Sequence, residues 1–169
     1  MSFPQAVGQC PIYYNHYNTG RPYKKNMRYV SRYQDIPAES YYPFGFGLSY
    51  SKFVYSDIKL SNKILDKYSQ IVVNVKVKNV SDVVGEEVIQ LYIQDLVGSV
   101  VRPVKELKAF KKVKILPKEE IGMKFEISEE MLKFWNESMK FEAEVGEFKV
   151  FVGGSSNEEN LLSDTFTLK

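Results

Sequence analysis

Apolar and polar residues alternate with a period of two in one short segment after another, from residue 53 to the end of the chain. The clearest case is the segment 71–78, in which Ile or Val occupies every second position from Ile71 to Val77 and the positions between them are mostly polar. Successive side chains of a strand point to opposite faces of a sheet, so this pattern predicts an antiparallel strand with one buried and one solvated face. A chain made of such segments must bury its apolar faces against each other.

The alternation predicts about seven strands and therefore an all-β fold. They lie at residues 53–60, 71–78, 88–93, 105–115, 121–127, 148–152 and 163–168. Turn-forming sequences separate several of them, at 81–85, 116–119 and 153–156. Short strands at this regular spacing are typical of an immunoglobulin-like or fibronectin type III-like antiparallel β-sandwich.

Two segments fit this scheme less well. In 105–115, the apolar residues Leu107, Ala109, Val113 and Ile115 are in phase, but Lys111 interrupts the row. In 129–135 the spacing favours one short helix, in which Ser128 would be the N-cap and Met131 and Trp135 would share a face. This segment is short enough to be a single-turn connection between two strands.

The first fifty residues differ in character from the rest of the chain. They hold nine of the twelve tyrosines and five of the seven prolines, with five basic and two acidic residues. Only residues 11–14 resemble a strand, and the sequence at 18–22 predicts a turn. So many aromatic residues without a helical or strand period predict an irregular segment that wraps over another surface and does not fold well alone.

Composition and charge exclude several classes of function. The 23 basic and 21 acidic residues nearly balance, which argues against nucleic acid as the main partner. No run of about 18 apolar residues exists that would form a membrane-spanning helix. Cys10 is the only cysteine and His16 the only histidine, so no disulfide can form within the chain and a zinc site would lack ligands. We expect Cys10 to be a small buried hydrophobic residue rather than a nucleophile. We expect His16 to be structural or exposed, and we expect no cofactor and no metal.

The sequence Tyr-Pro-Phe-Gly-Phe-Gly-Leu-Ser-Tyr at 42–50 resembles a junction in the β-glucosidase-type glycoside hydrolases of family 3. In that family the junction joins a catalytic-region domain to a C-terminal fibronectin type III-like domain. Further resemblances to the family follow in the right order, at 3–22, 85–95, 102–110 and 146–153. The resemblance assigns domain-junction packing to seven residues: Tyr42, Pro43, Phe44, Gly45, Phe46, Gly47 and Tyr50.

The resemblance implies a chain of two parts that begins within a longer protein. Residues 1–50 would be the tail of the preceding α/β catalytic-region domain plus a linker. Residues 51–169 would be the fibronectin type III-like β-sandwich. The aromatic residues of the first part would then pack on a neighbouring domain rather than contact sugar.

Catalysis by a retaining glycosidase needs two carboxylates about 5 Å apart, one of them a nucleophile. In the family that this chain resembles, the nucleophile is an Asp next to a Trp in an N-terminal barrel. The only tryptophan here, Trp135, follows Phe134, so we assign no catalytic residue. The adjacent Glu86 and Glu87 would point to opposite faces of a strand. We expect them to be solvated structural charges, together with Glu119, Glu120, Glu129 and Glu130.

These points together predict a non-catalytic structural domain that braces the catalytic domains of a β-glucosidase-like parent enzyme, its intramolecular partner. Arg102 precedes a proline and is a candidate to brace its own loop, residues 96–102, by hydrogen bonds. That loop is in turn a candidate to reach the rim of the parent's active site. A homodimer is a further candidate partner; nucleic acid and membrane are not. The alternative is a free-standing β-sandwich module that binds carbohydrate or a cell-surface partner. The parent's substrate and its localisation stay open, and a single cysteine is compatible with the cytoplasm.

Overall fold

Ten strands follow one another along the second part of the chain in the computed structural model, which describes residues 1–10, 12–22, 27 and 29–169. They are β1 (Phe53–Leu60), β2 (Ile64–Leu65), β3 (Gln70–Asn79), β4 (Gly85–Asp95), β5 (Glu106–Ile115), β6 (Glu120–Ser128), β7 (Phe134–Trp135), β8 (Phe141–Glu142), β9 (Gly146–Gly153) and β10 (Leu162–Leu168). Two 3₁₀ turns, Glu129–Leu132 and Glu158–Asn160, complete the regular elements of these ranges. None of the described residues forms a helix long and apolar enough to cross a membrane.

The strands form a sandwich of two sheets with a small hairpin attached. One sheet has the order β1-β3-β6, and the other has the order β2-β10-β9-β4-β5. Neighbouring strands in both sheets are antiparallel, except that β2 runs parallel to β10. The strands β7 and β8 pair only with each other. The predicted all-β fold is confirmed, and the seven predicted strands correspond to the seven strands that are longer than two residues.

The core lies between the two sheets and is supplied by the alternating faces. On β3, the row from Ile71 to Val77 is buried at every second position, and it shares one cluster with Ile89 and Leu91 of β4 and with Val150 of β9. Burying each such side chain contributes about 1.5–3 kcal/mol. The packing of the two inner faces against each other therefore stabilises the sandwich, whereas its outer faces need a separate cover or contact with solvent.

Three local predictions were wrong in whole or in part. A bulge in the pairing between Leu91 and Tyr92 of β4 and the facing residues of β5 turns Leu107 to the outer face, out of phase with Ala109. The helical candidate at 129–135 is a single 3₁₀ turn that connects β6 to β7, as its length allowed, but Ser128 makes no side-chain capping bond. Residues 12–14 form no strand, and Pro11, the first residue of that predicted strand, lies outside the described residues.

Candidate functional site

The outer face of the five-stranded sheet is covered by the N-terminal segment. Gln90 and Tyr92 lie on this face of β4, yet they are only 4% and 0% exposed. Two stretches provide the cover, residues 12–18 and 41–46, which we call the strap. Because the outer face of an antiparallel sheet is usually solvated, this burial identifies a docking surface.

Stacked aromatic rings form the centre of the docked strap. The Phe44 ring stacks on the Tyr14 ring, with 4.3 Å between the centroids, and the Tyr14 ring meets the Tyr92 ring edge-on at 5.7 Å. The Tyr92 hydroxyl donates a hydrogen bond to Gln90 Oε1. Burial raises the pKa of Tyr92 above its ordinary value, so this phenol remains a donor. Aromatic pairs of this kind add about 0.5–1.5 kcal/mol beyond the area that they bury.

Main-chain hydrogen bonds tie the two stretches of the strap to the loop before β5 and to the loop after β9. The Val104 amide donates to the His16 carbonyl at 2.9 Å, and the Ser156 amide donates to the Phe44 carbonyl at 2.8 Å. The Leu107 amide reaches the Tyr14 hydroxyl at 3.4 Å. The strap is thus held by its backbone as well as by its rings.

Gly45 allows the strap to approach the sheet closely. Its φ is +81°, and an added Cβ would lie 2.4 Å from Oε1 of Gln90. Gln90 is itself fixed, because its Nε2 donates to the Gly154 carbonyl at 2.7 Å. A side chain at position 45 would therefore meet both an unfavourable backbone conformation and an immobile neighbour.

Lys105 fixes the loop that receives Phe44. It is 4% exposed, and its Nζ donates to the Ser156 carbonyl at 3.0 Å and to Glu158 at 2.9 Å. The ammonium also lies 5.7 Å from the centroid of the Phe151 ring. A buried ammonium needs partners of this kind to offset its lost hydration.

Arg102 lies at the end of the neighbouring loop, 96–102. Its Nη2 donates to Glu106 at 2.8 Å, and its guanidinium lies 4.0 Å from the centroid of the Phe134 ring. Its Nε is 3.8 Å from Asp95 Oδ2, and burial raises the pKa of Asp95 although Arg102 opposes that shift. The Arg102 carbonyl also accepts from the Asn18 amide of the strap at 3.4 Å.

The seven predicted junction residues divide into two groups in the structure. Phe44 and Gly45 face the sheet, with Pro43 half-buried beside them. The other four point outward: Tyr42, Phe46, Gly47 and Tyr50. Tyr42 and Phe46 stack on each other at 4.8 Å, and Tyr50 is fully exposed.

A hollow of about 530 Å³ opens on the outward side of the strap. Ile12, Tyr13, Tyr14 and Phe44 line it, together with residues from the start of the chain. Residues from the start of the chain therefore cover part of this side, and apolar surface of the strap remains open to the hollow.

The adjacent carboxylates of β4 have different surroundings. Glu86 is exposed and pairs with Lys112 at 2.6 Å, which lowers the pKa of Glu86. Glu87 points inward and accepts the Tyr55 hydroxyl at 2.6 Å, and burial raises the pKa of Glu87. The prediction of opposite faces is confirmed, but the expectation that Glu87 is a solvated charge was wrong, because its inner-face position places it at the rim of the sandwich.

His16 is exposed, within what was expected of it, but the expectation that Cys10 is buried was wrong, because Cys10 is exposed too. The His16 ring contacts the Tyr17 carbonyl at 3.0 Å. No group of three or more His, Cys, Asp or Glu side chains suited to a metal ion occurs in the part of the chain that the structure describes.

Sequence reasoning missed Gln90, Lys105 and Glu87 as parts of the site. The available signal was a polar residue inside or beside an apolar strand segment, as at Gln90 within 88–93. That signal says only that a partner is needed, and the partner of Gln90 comes from residues more than 40 positions away.

Comparisons with known proteins agree with this architecture. Residues 87–156 match the family model of the fibronectin type III-like domain. The chain is 47% identical over 158 residues to a periplasmic β-glucosidase of Salmonella typhimurium. The aligned region covers 92% of this chain and 21% of that protein. It is 40% identical over 161 residues to a thermostable β-glucosidase B of Acetivibrio thermocellus, and this aligned region covers 93% of this chain and 21% of that protein.

Solved structures extend the likeness to the strap. A β-glucosidase from Listeria innocua, crystallised with isofagomine, superposes with a TM-score of 0.89 at 47% identity, over 99% of this chain and 24% of that one. The chain spans about a fifth of the length of the curated relatives that it matches. The likeness thus includes the N-terminal segment together with the sandwich.

Proposed function

This chain belongs to the β-glucosidase-like glycoside hydrolases of family 3 and carries their fibronectin type III-like domain, and on that premise we propose that it is a non-catalytic brace. It would hold the catalytic domains of a parent enzyme that hydrolyses O-glycosyl bonds. In this proposal residues 1–50 come from the end of the preceding domain and its linker, and residues 51–169 form the sandwich.

The two-sided strap is the observation that carries the proposal. Its inner side is fixed to the sandwich by Phe44, Gly45 and the hydrogen bond from Ser156. Its outer side presents an apolar hollow and exposed aromatic rings. Exposed apolar surface of this extent is typical of an interaction site. A strap held on one side and apolar on the other is suited to transmit position between two domains.

The carboxylates described above support the non-catalytic part of the proposal. Glu86 is neutralised by Lys112 in the open, and Glu87 is bonded to a phenol rather than facing a second carboxylate. Neither arrangement provides the acid and nucleophile that glycoside hydrolysis requires.

A chimera tests the brace. This chain replaces the matching fifth of the Salmonella relative, and hydrolysis of an aryl β-glucoside and thermal unfolding are compared with those of the relative itself. We expect the chimera to fold and to keep activity of the same order. We expect a relative from which the segment is deleted to lose its activity. A chimera that unfolds, or a deletion that keeps full activity and stability, would contradict the proposal.

The isolated chain provides the complementary measurement. We expect it to release no product from an aryl β-glucoside above the rate of buffer. Turnover that disappears in Glu87→Gln but persists in the control Glu86→Gln would overturn the non-catalytic assignment.

Self-association through the strap is part of the proposal for the chain on its own. Without the neighbouring domain, the exposed rings of Tyr42, Phe46 and Tyr50 leave a second copy as the available cover. Light scattering at increasing concentration should show a dimer, and Phe46→Ser should weaken it. A chain that stays monomeric at all concentrations would contradict self-association and would leave the proposal of a brace unchanged.

Carbohydrate binding is the second candidate function, favoured by one observation on the β7–β8 hairpin. Trp135 and Phe141 are 63% and 51% exposed, and their ring centroids are 5.5 Å apart. The rings are tilted by 48°, so they do not form one flat platform for a sugar ring. Titration with soluble β-glucan tests this candidate, because Trp135 is the only tryptophan and reports directly. Saturable quenching would favour the binding module, and no change would favour the brace.

A further inference from the structure

A groove of about 720 Å³ lies where the strap runs into the sandwich. Its walls come from residues 45–49, from the first half of β1, from the start of β4 and from the loop after β9. The rings of Phe46 and Phe53 and the carboxyl of Glu87 all line it. The groove therefore combines apolar side chains with polar wall surface, and it carries one half-buried carboxyl.

Glu87 is incompletely partnered in this groove. Its Oε1 accepts the Tyr55 hydroxyl at 2.6 Å, and no hydrogen bond to its Oε2 comes from the described residues. Among those residues it also has no ion-pair partner, whereas its neighbour Glu86 is 2.6 Å from Lys112. A carboxylate that loses hydration without gaining a cation costs free energy, and the raised pKa of Glu87 reflects that cost.

The charges around the groove have one sign. Glu86 and Glu159 also line it, and no lysine or arginine is among its lining residues in the described part of the chain. The loop after β9 packs closely against the carboxyl, because position 154 is a glycine and a Cβ there would lie 2.4 Å from Glu87 Oε1. The groove is thus complementary to a cation with an apolar stem.

We propose that this groove receives an arginine side chain from a part of the protein outside these 169 residues, with Glu87 as its counter-charge. The inference rests on the proposed function as a brace between domains. Arginine fits better than lysine, because its planar guanidinium both donates to a carboxylate and stacks on rings such as those of Phe46 and Phe53.

Two observations favour an occupant from the parent protein. The chain spans about a fifth of the curated relatives that it matches, so most of such a protein lies outside it. The groove is also continuous with the strap, since Gly45 and Phe46 belong to both. A segment that packs on residues 45 and 46 of the strap therefore contacts the groove as well.

The chemistry is tested on this chain with N-acetyl-arginine amide as the probe. The neutral isostere N-acetyl-citrulline amide is the matched control, and the carboxyl carbon of Glu87 is followed by NMR across a pH titration. We expect the arginine probe to lower the pKa of Glu87 saturably and the citrulline probe to leave it unchanged. Neither probe should change the pKa of Glu86 or of Glu159. Equal responses to both probes, a response to glucose instead, or no response would overturn the proposal.

A second measurement uses Glu87→Gln in two settings at neutral pH, with Glu86→Gln as the control. In the isolated chain the substitution should raise the melting temperature, because it removes an unpaired charge. In the chimera it should lower the melting temperature, because it removes a partner of the arginine. The same sign in both settings would refute the arginine site while the chimera remains active, and an inactive chimera would instead refute the brace.

Discussion

At the residue scale, a hydrogen bond from Tyr55 to Glu87 connects the two sheets at the rim of the sandwich. Tyr55 belongs to β1 of the three-stranded sheet and Glu87 to β4 of the five-stranded sheet. Burial raises the pKa of both groups, so the protonated phenol donates and the carboxyl accepts. The stability of this rim therefore depends on whether Glu87 carries its charge.

We expect Glu87→Gln to stabilise the isolated chain near pH 7 and to leave it unchanged near pH 4. The pKa of Glu87 lies above its ordinary value of 4.5 in the folded chain, so the folded state binds the proton more tightly than the unfolded state. Wild-type stability then falls as pH rises from the unfolded pKa through the folded pKa, whereas glutamine does not titrate. Melting temperatures at about pH 4 and pH 7 measure the difference.

Glu86→Gln is the control for that experiment. Lys112 lowers the pKa of Glu86, so the charged form is favoured in the folded chain and its loss should lower or not change the melting temperature near pH 7. A rise of the melting temperature in both variants would point to net charge rather than to the burial of Glu87.

Lys105→Met should destabilise the chain by about 1–3 kcal/mol, because it removes the donor to a buried carbonyl of Ser156 and keeps the aliphatic stem. Urea unfolding measures the loss, and amide exchange at Ser156 should accelerate more than exchange in β3. Lys114→Met, at an exposed position of β5, is the matched control. A loss no larger than that of the control would show that Lys105 does not hold the loop.

At the scale of elements, the period of two is enough to predict the strands but not what covers them. The inner faces of β3, β6 and β9 follow from alternation alone, because burial on one side imposes that pattern locally. The burial of Tyr92 does not follow from alternation, because Tyr92 is covered by Tyr14. Most of the strap and the strands β1 to β3 lie between these two residues in the sequence. The helical candidate at 129–135 is limited to one turn for a similar reason: the Asn136 side chain closes a turn there, and Trp135 pairs with Phe141 in a strand.

Gly45→Ala should detach the second stretch of the strap, and Gly47→Ala should not. The positive φ at Gly45 costs a side chain about 1–2 kcal/mol, and the added Cβ also collides with Gln90. No heavy atom lies within 4 Å of a Cβ placed at Gly47. We expect lower stability in urea and faster exchange of the Ser156 amide for the first variant only; equal behaviour of the two would mean that residue 45 is not a close contact.

At the scale of the whole molecule, the resemblance predicts a boundary after residue 50, whereas the docked strap makes residues 12–18 and 41–46 part of the sandwich's own surface. These two descriptions differ in what happens after a cut between the stretches. The sequence supports the boundary because composition changes there, but it carries no signal for a docking that depends on the fold of a distant sheet.

Trypsin provides that cut at Arg32, an exposed residue of the stretch between the two halves of the strap. The N-terminal piece should stay bound to the remainder under native conditions, because Tyr14 stacks on Phe44 and the Phe3 amide donates to the Tyr42 carbonyl at 2.9 Å. Size exclusion followed by mass spectrometry detects the retained piece, and cuts at Lys24, Lys25 or Arg28, which lie outside the described residues, leave the test intact. Phe44→Ala should release the piece after the same cut. Release from the wild type would mean that the strap depends on a neighbouring domain for its position, and the brace would then act only when that domain is present.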